Sequence, residues 1–283
     1  MQSVESVDAL RKQVKQWHED KLTVAFVPTM GNLHQGHLSL VHRAQELADK
    51  VIVSIFVNPL QFDDKKDLSA YPRTLETDLR QLDSVACDLV FTPTAEVIYP
   101  DGMDEQTIIT VPSMDDKLCG KARPGHFDGV ATVVAKLFNM VQADIAVFGE
   151  KDYQQLLLIK KMVSDLNIPI TIIGEPTHRE ENGLAMSSRN QYLTVQQREQ
   201  AAYLYQSLLM VKNKLEQGYD DYSALEVEAF NNLQEMGFIP DYVDIRHAEN
   251  LEQAKKGDKP LRVLVAARLG SARLIDNIAC NLA

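Results

Sequence analysis

Short apolar segments that alternate with helical patterns constrain the fold of this chain more than any other feature. Residues 22–27 form an apolar, β-rich run, a helical pattern follows from about 36 to 48, and residues 51–57 are again continuously apolar. Further short apolar strands are predicted at 89–92, 145–148 and 169–173. Strands that are apolar throughout are typical of parallel sheets covered by helices on both faces. The sequence therefore predicts an α/β fold with a Rossmann-like, doubly wound parallel sheet.

The pattern changes after about residue 176. Thr194 and Gln197 form a T-x-x-Q capping box, which predicts a long helix that ends near Gln217. Strands are predicted after this helix at 242–246, 261–267 and 273–276. A chain of 283 residues is also longer than a single hydrophobic core usually reaches, which is about 250 residues. We therefore predict a Rossmann-like domain at 1–176 and a smaller α+β domain at 177–283.

The charge of the chain argues against nucleic acid as a partner. Its 29 Lys and Arg against 40 Asp and Glu give a net charge of −11, without a basic cluster for a phosphate backbone. Anionic substrates would therefore need individual Lys, Arg or His residues beside a pocket. No run of 18 apolar residues and no signal peptide is recognisable, and the three cysteines form no CxxC pair. We expect a cytoplasmic protein with reduced thiols that is neither exported nor membrane-spanning.

The loop after the first apolar strand is the strongest candidate for a phosphate site. Its sequence, PTMGNLHQGH at 28–37, leads into a helix N-terminus, where unpaired N–H groups and the helix dipole attract anions. Gly31 and Gly36 have the spacing of a Walker A loop, but the Lys and the Ser or Thr of that motif are absent. We expect His34 and His37 to replace the lysine, donating to phosphate oxygens and carrying charge near neutral pH when anions are close.

Two alternatives remain open for this histidine pair. Histidines three residues apart could hold a metal ion, although no third ligand stands at a helpful spacing. Either side chain could also be an ordinary surface or core residue.

Other loops carry polar side chains suited to a small acid and to phosphates. Asn58 and Gln61 follow the second strand, and their amides could bind hydroxyl or carboxylate groups, although an Asn-Pro dipeptide is ordinarily a turn. Lys151 follows a later buried strand and is a natural cation for phosphate, unless the Glu-Lys-Asp run is only a solvated surface. The segment 186–190 adds two hydroxyls and a guanidinium. The segment 123–127 adds an arginine and a histidine, or forms a simple turn.

Taken together, these segments resemble the pantothenate synthetase family, the AMP-forming ligases of pantoate and β-alanine. The similarity extends over essentially the whole chain. The matching segments are VPTMGNLHQGH at 27–37, SIFVNPLQF at 54–62, AYPRT at 70–74, RPGHFDGV at 123–130, FGEKDYQQL at 148–156, SSRN at 187–190 and LVAARLG at 264–270. The resemblance implies the nucleotidyltransferase superfamily, whose HxGH signature lies here at 34–37.

The resemblance also implies the reaction, its metal ion, the oligomeric state and the roles of the two domains. Pantoate attacks ATP to give pantoyl adenylate and pyrophosphate, and the amine of β-alanine then releases AMP and forms pantothenate. Mg²⁺ is expected with ATP, held mainly by the phosphates, and Asp78 with Gln81 is suggested as a protein contact. The family is dimeric, which implies a homodimer. We expect residues 1–176 to bind nucleotide and pantoate, and residues 177–283 to act as a lid over ATP.

Four groups of site residues are implied by the resemblance. The catalytic residues are His34, His37 and Lys151. The residues expected at ATP are Met30, Gly31, Asn32, Leu33, His34, Gln35, Gly36, His37, Gly149, Glu150, Lys151, Asp152, His178, Met186, Ser187, Ser188 and Arg189. Those expected at pantoate are Gln61, Gln155, Met30, Val130, Val133 and Val134, and Gln61 is also expected at β-alanine. The three valines are equally explained as the buried face of a helix. Relatives commonly carry an aliphatic residue at position 178, so His178 is expected to act through its backbone.

Two rival functions are weighed against this one. A related nucleotidyltransferase could leave AMP or CMP on a phosphorylated product, but the uncharged Gln61 and Gln155 suit a carboxylate and hydroxyls better than a phosphate. A nucleotide-sensing module without chemistry would be favoured by loss of His34, His37 or Lys151, and all three are present.

Overall fold

A parallel sheet runs through the first part of the chain. Its strands are, in chain order, β1 (Gln2–Val4), β2 (Val24–Thr29), β3 (Lys50–Ile55), β4 (Leu89–Phe91), β5 (Ile145–Gly149) and β6 (Thr171–Glu175). They lie side by side in the order β1–β4–β3–β2–β5–β6, and every pairing is parallel. The α/β prediction with a parallel sheet is confirmed. This is a computed structural model, and it describes residues 1–62 and 65–280 of the chain.

Helices connect the strands of this sheet. They are α1 (Val7–Glu19), α2 (Gln35–Leu47), α3 (Lys65–Ala70), α4 (Leu75–Ser84), α5 (Ala95–Ile98), α6 (Leu118–Ala122), α7 (His126–Val141) and α8 (Tyr153–Asp165), with short 3₁₀ turns at Pro59–Gln61 and Glu150–Asp152. The residues of β2 from Val24 to Val27 are completely buried, which explains why this strand is apolar throughout. Within the described residues, no helix is both long and apolar enough to cross a bilayer.

The order of the strands creates a switch point between β2 and β5. From β2 the chain moves outward through β3 to β4, whereas β5 and β6 lie on the other side of β2. Helices that leave neighbouring strands in opposite directions open a crevice at the carboxyl ends of those strands, and ligands of such sheets bind there. The loop after β2 therefore begins at the position where an open α/β sheet binds its ligand.

The chain divides into two compact units, and each unit is built from two separate segments of the chain. The first consists of Met1–Glu150 and Leu158–Pro176, and the second of Lys151–Leu157 and Thr177–Ala283. The predicted assignment of nucleotide and pantoate binding to 1–176, and of a lid to 177–283, stays a prediction.

The second unit contains an antiparallel sheet of its own. Its strands β7 (Ile239–His247), β8 (Leu261–Leu269) and β9 (Ala272–Cys280) pair in that order. Three helices, α9 (Val195–Ala201), α10 (Tyr203–Glu216) and α11 (Tyr222–Glu235), and a 3₁₀ turn at Ser188–Tyr192 complete it. Leu208 and Val211 of α10 share a buried cluster with Val263 and Val265 of β8. The smaller α+β arrangement is confirmed.

Two sequence-based expectations about elements need correction. The single helix predicted from Thr194 to about Gln217 is wrong, because α9 ends at Ala201 and α10 begins at Tyr203. At the junction, the N–H of Ala202 bonds to the carbonyl of Glu199 at 3.3 Å, a tighter i→i−3 bond that interrupts the helical ladder. Strand β1 was not predicted, and it pairs with β4 through only three residues. Each predicted strand overlaps an observed one.

Candidate active site

A buried carboxylate on α4 holds the loop that follows β2. Asp78, which is 1% exposed, accepts the backbone N–H of Asn32 on Oδ2 and that of Leu33 on Oδ1, both at 2.9 Å. The Thr74 hydroxyl donates to the same carboxylate at 3.1 and 3.2 Å. Both oxygens of Asp78 are therefore occupied by the protein itself. The suggested role of Asp78 with Gln81 as a Mg²⁺ contact stays a prediction, against which these bonds to the loop backbone argue.

Two left-handed residues give this loop its shape. Gly31 has φ of 77° and Asn32 has φ of 51°. A Cβ on residue 31 would lie 3.0 Å from Asp78 Oδ2 and 3.0 Å from Ile55 Cγ2, so a larger residue would be both strained and crowded. Asparagine is one of the few other residues that adopt this conformation readily. Gly31 is thus needed to bring the loop against Asp78.

The two histidines cap the N-terminus of α2. His34 is the N-cap residue, and its Nδ1 accepts the N–H of Gly36 at 3.1 Å. His37, three residues on, accepts the N–H of His34 on its own Nδ1 at 3.3 Å. This reciprocal arrangement is a capping box built from two imidazoles instead of Ser or Thr and Glu. The ring centres are 4.1 Å apart.

These capping bonds fix the tautomer of both rings. A backbone N–H can only donate, so each Nδ1 has to carry a lone pair, and the proton of each neutral ring then lies on Nε2. A doubly protonated ring would lose its capping bond. In this conformation Nε2 is therefore the nitrogen through which each ring can donate, beside the positive end of a helix dipole, and the expectation that the histidines carry charge when anions are close stays a prediction.

Asn58 orients the side chain of Gln61. Asn58 is buried, and its Oδ1 accepts the Tyr99 hydroxyl at 2.7 Å and the Leu60 N–H at 3.3 Å. Its Nδ2 donates to Gln61 Oε1 at 3.1 Å. With Oε1 used in this way, Gln61 presents its NH₂ group, which lies 3.1 Å from Met30 Sδ. A donor at this position suits a carboxylate or hydroxyl oxygen.

Arg123 and His126 hold the backbone of Gln61. Arg123 Nη1 lies 3.1 Å from His126 Nε2, and because a guanidinium can only donate, that nitrogen is the acceptor. His126 Nδ1 therefore carries the proton and donates to the Gln61 carbonyl at 2.8 Å, and Arg123 Nη2 adds a second bond to it at 3.3 Å. The segment 123–127 is thus more than a simple turn.

Helix α7 packs closely against the turn that carries Gln61. A Cβ on Gly129 would lie 2.4 Å from the Leu60 carbonyl oxygen, so only glycine allows this approach. Val130, Val133 and Val134 on the same helix are all buried.

The second unit holds the predicted residues Lys151, Asp152 and Gln155 and those around the Ser-Ser-Arg-Asn segment. Lys151 Nζ lies 3.7 Å from Asp152 Oδ1, and the lysine side chain is 17% exposed. Gln155, on α8, is half-buried, as are Met186, Ser188 and Arg189. Sequence reasoning missed Asn277, whose side chain donates to the Lys151 carbonyl at 2.9 Å, and no motif marks it.

The segment around Ser187 is folded back on the chain near His178. Ser187 Oγ accepts the Arg189 N–H at 3.3 Å and caps the 3₁₀ turn. The Met186 N–H donates to the His178 carbonyl at 3.0 Å. Asn190 is buried and donates to the Ala185 carbonyl at 3.1 Å. The structure thus brings 178 and 186–189 together through their backbone.

The remaining predicted site residues lie at the start of α2 and at the end of β5. Gln35 and Gly36 form the first turn of α2, and Gly149 ends β5, where its Cβ would lie 3.9 Å from Leu40 of α2. Glu150 follows directly. In the first unit, the structure therefore brings the α2 N-terminus, the end of β5 and the Met30–Gln61 contact to the carboxyl edge of one sheet.

Comparison with known proteins gives a consistent result over the full length of the chain. The family model described as pantoate-beta-alanine ligase matches residues 2–279. A pantothenate synthetase from Shewanella halifaxensis is 54% identical over 100% of this chain and 99% of its own length. A crystal structure of pantothenate synthetase from Thermus thermophilus covers 98% of this chain and 99% of its own, with a TM-score of 0.91 and 45% identity. The ligase from Francisella tularensis, complexed with beta-gamma ATP and beta-alanine, covers 99% and 97%, with a TM-score of 0.83 and 36% identity.

Proposed function

The chain belongs to the pantoate-beta-alanine ligase family, and from this premise we propose how its residues perform the family reaction. It is a ligase that uses ATP to join (R)-pantoate to β-alanine, giving pantothenate, AMP and pyrophosphate. The observation that carries the proposed mechanism is the histidine pair at the start of α2, whose two Nδ1 atoms are both held by backbone N–H groups.

The first half-reaction forms pantoyl adenylate. A carboxylate oxygen of pantoate bonds to the α-phosphorus of ATP, and the bond from that phosphorus to the bridging oxygen breaks to release pyrophosphate. Two anions have to meet, so the barrier falls mainly through positioning and preplaced donors. His34 and His37 donate from Nε2 to phosphate oxygens, and the Lys151 ammonium supplies positive charge.

Gln61 is the residue that places pantoate. Its NH₂ group donates to the carboxylate or hydroxyl of pantoate, because Asn58 occupies its oxygen. Gln155 is assigned the other polar end of pantoate. Met30, Val130, Val133 and Val134 are assigned to its methyl groups.

The second half-reaction consumes the adenylate. The uncharged amine of β-alanine attacks the acyl carbon, the bond from that carbon to the AMP oxygen breaks, and the amine proton is lost to solvent. Gln61 is also assigned to β-alanine in this step. The relative from Francisella tularensis was solved with beta-gamma ATP and beta-alanine together, which supports binding of both by one protein of this family.

The other residues expected at ATP are assigned segment by segment. The loop 30–37 is assigned to the phosphates, and Gly149 with Asp152 to the ribose. Met186, Ser187, Ser188 and Arg189 are assigned to the triphosphate, and the backbone of His178 to adenine. Residues 177–283 are proposed to close over ATP as a lid, and the active protein is proposed to be a cytoplasmic homodimer.

Mg²⁺ enters the proposal as the cation that accompanies ATP, without an assigned protein ligand. The carboxylate of Asp78 does not fit this role, because both of its oxygens accept backbone N–H groups. Among residues 1–62 and 65–280, no group of three or more His, Cys, Asp or Glu is arranged as metal ligands. When bound to ATP, the ion would reduce the negative charge of the phosphates.

The proposal is tested by pantoate-dependent exchange of labelled pyrophosphate into ATP. We expect exchange that requires pantoate, proceeds without β-alanine, and gives way to stoichiometric release of free AMP when β-alanine is added. Exchange without pantoate would contradict the assigned acid, and AMP retained on a phosphorylated product would favour the related nucleotidyltransferase reaction. Nucleotide binding without any exchange would favour a sensing module.

A further inference from the structure

A buried asparagine links the second sheet to the backbone of Lys151. Asn277 on β9 is 3% exposed, and its Nδ2 donates to the Lys151 carbonyl at 2.9 Å. Its Oδ1 accepts Nε of Arg262, on β8, at 2.7 Å. A guanidinium can only donate, so the amide oxygen has to face Arg262 and the NH₂ has to face Lys151. The orientation of the Asn277 amide is therefore determined by its partners.

The same arginine also holds the residue two positions after Lys151. The Arg262 guanidinium carbon lies 3.8 Å from the ring centre of Tyr153, a stacking distance for an arginine on an aromatic face. The Tyr153 hydroxyl donates to the Ala248 carbonyl at 3.0 Å. The stretch Lys151–Leu157 is thus attached to the second unit through both its backbone and an aromatic side chain.

An ion pair between the buried Asp276 and the half-buried Arg179 fixes the strand from which Asn277 acts. Asp276 accepts both Nη atoms of Arg179, at 2.6 and 3.0 Å. The Asn277 N–H donates to the same carboxylate at 2.7 Å. Buried polar groups that are all hydrogen-bonded to one another favour a single arrangement. The backbone of β9 is therefore held firmly at the point where Asn277 reaches Lys151.

From these contacts we propose that Asn277 is a positioning residue for adenylation, acting through the backbone of Lys151. This inference rests on the proposed role of Lys151 at the phosphates. A lysine ammonium is a point charge on a flexible side chain of four carbons, so its location depends on where its backbone is held. A displacement of about 1 Å at a reacting centre is enough to cost about a hundredfold in rate. Neither Asn277 nor Arg262 needs to contact a substrate for this role.

The first test is Asn277→Asp. The aspartate is nearly isosteric and still accepts from Arg262, but it replaces the donor to the Lys151 carbonyl with an oxygen that repels it. We expect kcat of pantoate-dependent pyrophosphate exchange to fall at least about tenfold, with KM for pantoate changed less than about threefold. Asn277→Ser, whose shorter side chain takes the donor out of reach of the Lys151 carbonyl without adding charge, should likewise lower kcat far more than it changes KM for pantoate. The control is Arg273→Lys on the same strand, which alters the Arg273–Asp241 pair and should leave both constants unchanged.

The decisive test combines Asn277→Asp with Lys151→Ala. The Lys151 carbonyl is still present in the alanine variant, so any loss of thermal stability from Asn277→Asp should recur in that background. The loss of rate should not recur, because the ammonium through which Asn277 acts is gone. Equal rate losses in both backgrounds would overturn the inference and indicate a purely structural role.

The outcomes separate this inference from the proposed function. A Lys151→Ala variant with near-normal exchange would refute the assigned role of Lys151 and, with it, the role of Asn277. A large loss in Lys151→Ala together with wild-type kcat in folded Asn277→Asp and Asn277→Ser would refute only the positioning role.

Discussion

The backbone N–H of His34 donates to Nδ1 of His37 at 3.3 Å, so one imidazole carries two separate duties. Its Nδ1 completes the cap of α2, and its Nε2 is the donor proposed to reach phosphate. Because the two nitrogens have different partners, a substitution can keep the helix cap and remove the donor to phosphate.

His37→Asn should separate chemistry from stability. The asparagine oxygen can still accept the His34 N–H, but no donor remains at the Nε2 position. We expect pyrophosphate exchange to fall about a hundredfold, the usual effect of removing one transition-state donor, with little change in melting temperature. His37→Gln keeps an acceptor for the cap and a longer NH₂ donor, so it should be about tenfold faster than the asparagine variant. Near-normal turnover in His37→Asn would show that Nε2 is not used.

Asp78→Asn should disturb the loop at 30–33. One of the two backbone N–H groups would face an NH₂ group instead of an oxygen, which should lower the free energy of unfolding by about 1–3 kcal/mol. The same change should raise KM for ATP. Urea unfolding and initial rates measure both quantities. Asp83→Asn, at an exposed position on the same helix, is the control and should be near neutral. An increased Mg²⁺ requirement with unchanged stability would instead identify Asp78 as a metal ligand.

Gly129→Ala should push α7 away from the turn that carries Gln61. The added methyl group would meet the Leu60 carbonyl oxygen at 2.4 Å, and we expect a loss of about 1–3 kcal/mol in unfolding free energy together with a raised KM for pantoate. Gly102→Ala is the matched control. Its φ of 85° makes alanine strained by about 1–2 kcal/mol, but nothing lies within 4 Å of the new Cβ. A raised KM for pantoate in both variants would refute the contact as its cause.

Glu226→Gln should change how stability depends on pH. Burial raises the pKa of Glu226 above its ordinary 4.5, although the Ile245 N–H donates to it at 2.8 Å. A raised pKa means that the folded state binds this proton more tightly than the unfolded state does. The resulting contribution to stability is complete below pH 4.5 and is lost as the pH rises through the pKa of Glu226 in the folded state. Glutamine keeps the acceptor and cannot ionise. Unfolding free energies should be measured at intervals of about one pH unit, from about pH 4 upward. As the pH rises, the wild type should lose stability relative to the variant. A difference in stability between wild type and variant that does not change with pH would contradict the assignment.

The sequence predicts the parallel sheet because its central strands are buried on both faces, which forces unbroken apolar runs such as Val24 to Val27. Strand β1 cannot be predicted from the sequence, because only Val4 of its three residues is buried and so short a segment shows no hydrophobic periodicity. The break at Ala202 lies within a continuous helical pattern and is visible only in the hydrogen bonds.

For the candidate site, the sequence indicates which residue types meet anions but not what holds them. His34, His37 and Lys151 are recognisable because they follow buried strands. Asp78, on the other hand, is one acid among many, and its function depends on two backbone groups 45 and 46 residues away in the chain. The tautomers of the histidines likewise depend on which backbone N–H groups reach them.

The discontinuous make-up of the two units has a consequence for protein dissection. Cleavage after Pro176 would leave Lys151–Leu157 on the N-terminal fragment, although these residues belong to the second unit. The C-terminal fragment would then lack Tyr153, the ring on which Arg262 stacks, and Asn277 would lose the carbonyl to which it donates. The N-terminal fragment would hold the whole first unit together with a segment cut off from its own, whereas the C-terminal fragment would be an incomplete folding unit. Weak nucleotide binding by the C-terminal fragment would therefore report a missing piece of sequence rather than the location of the site.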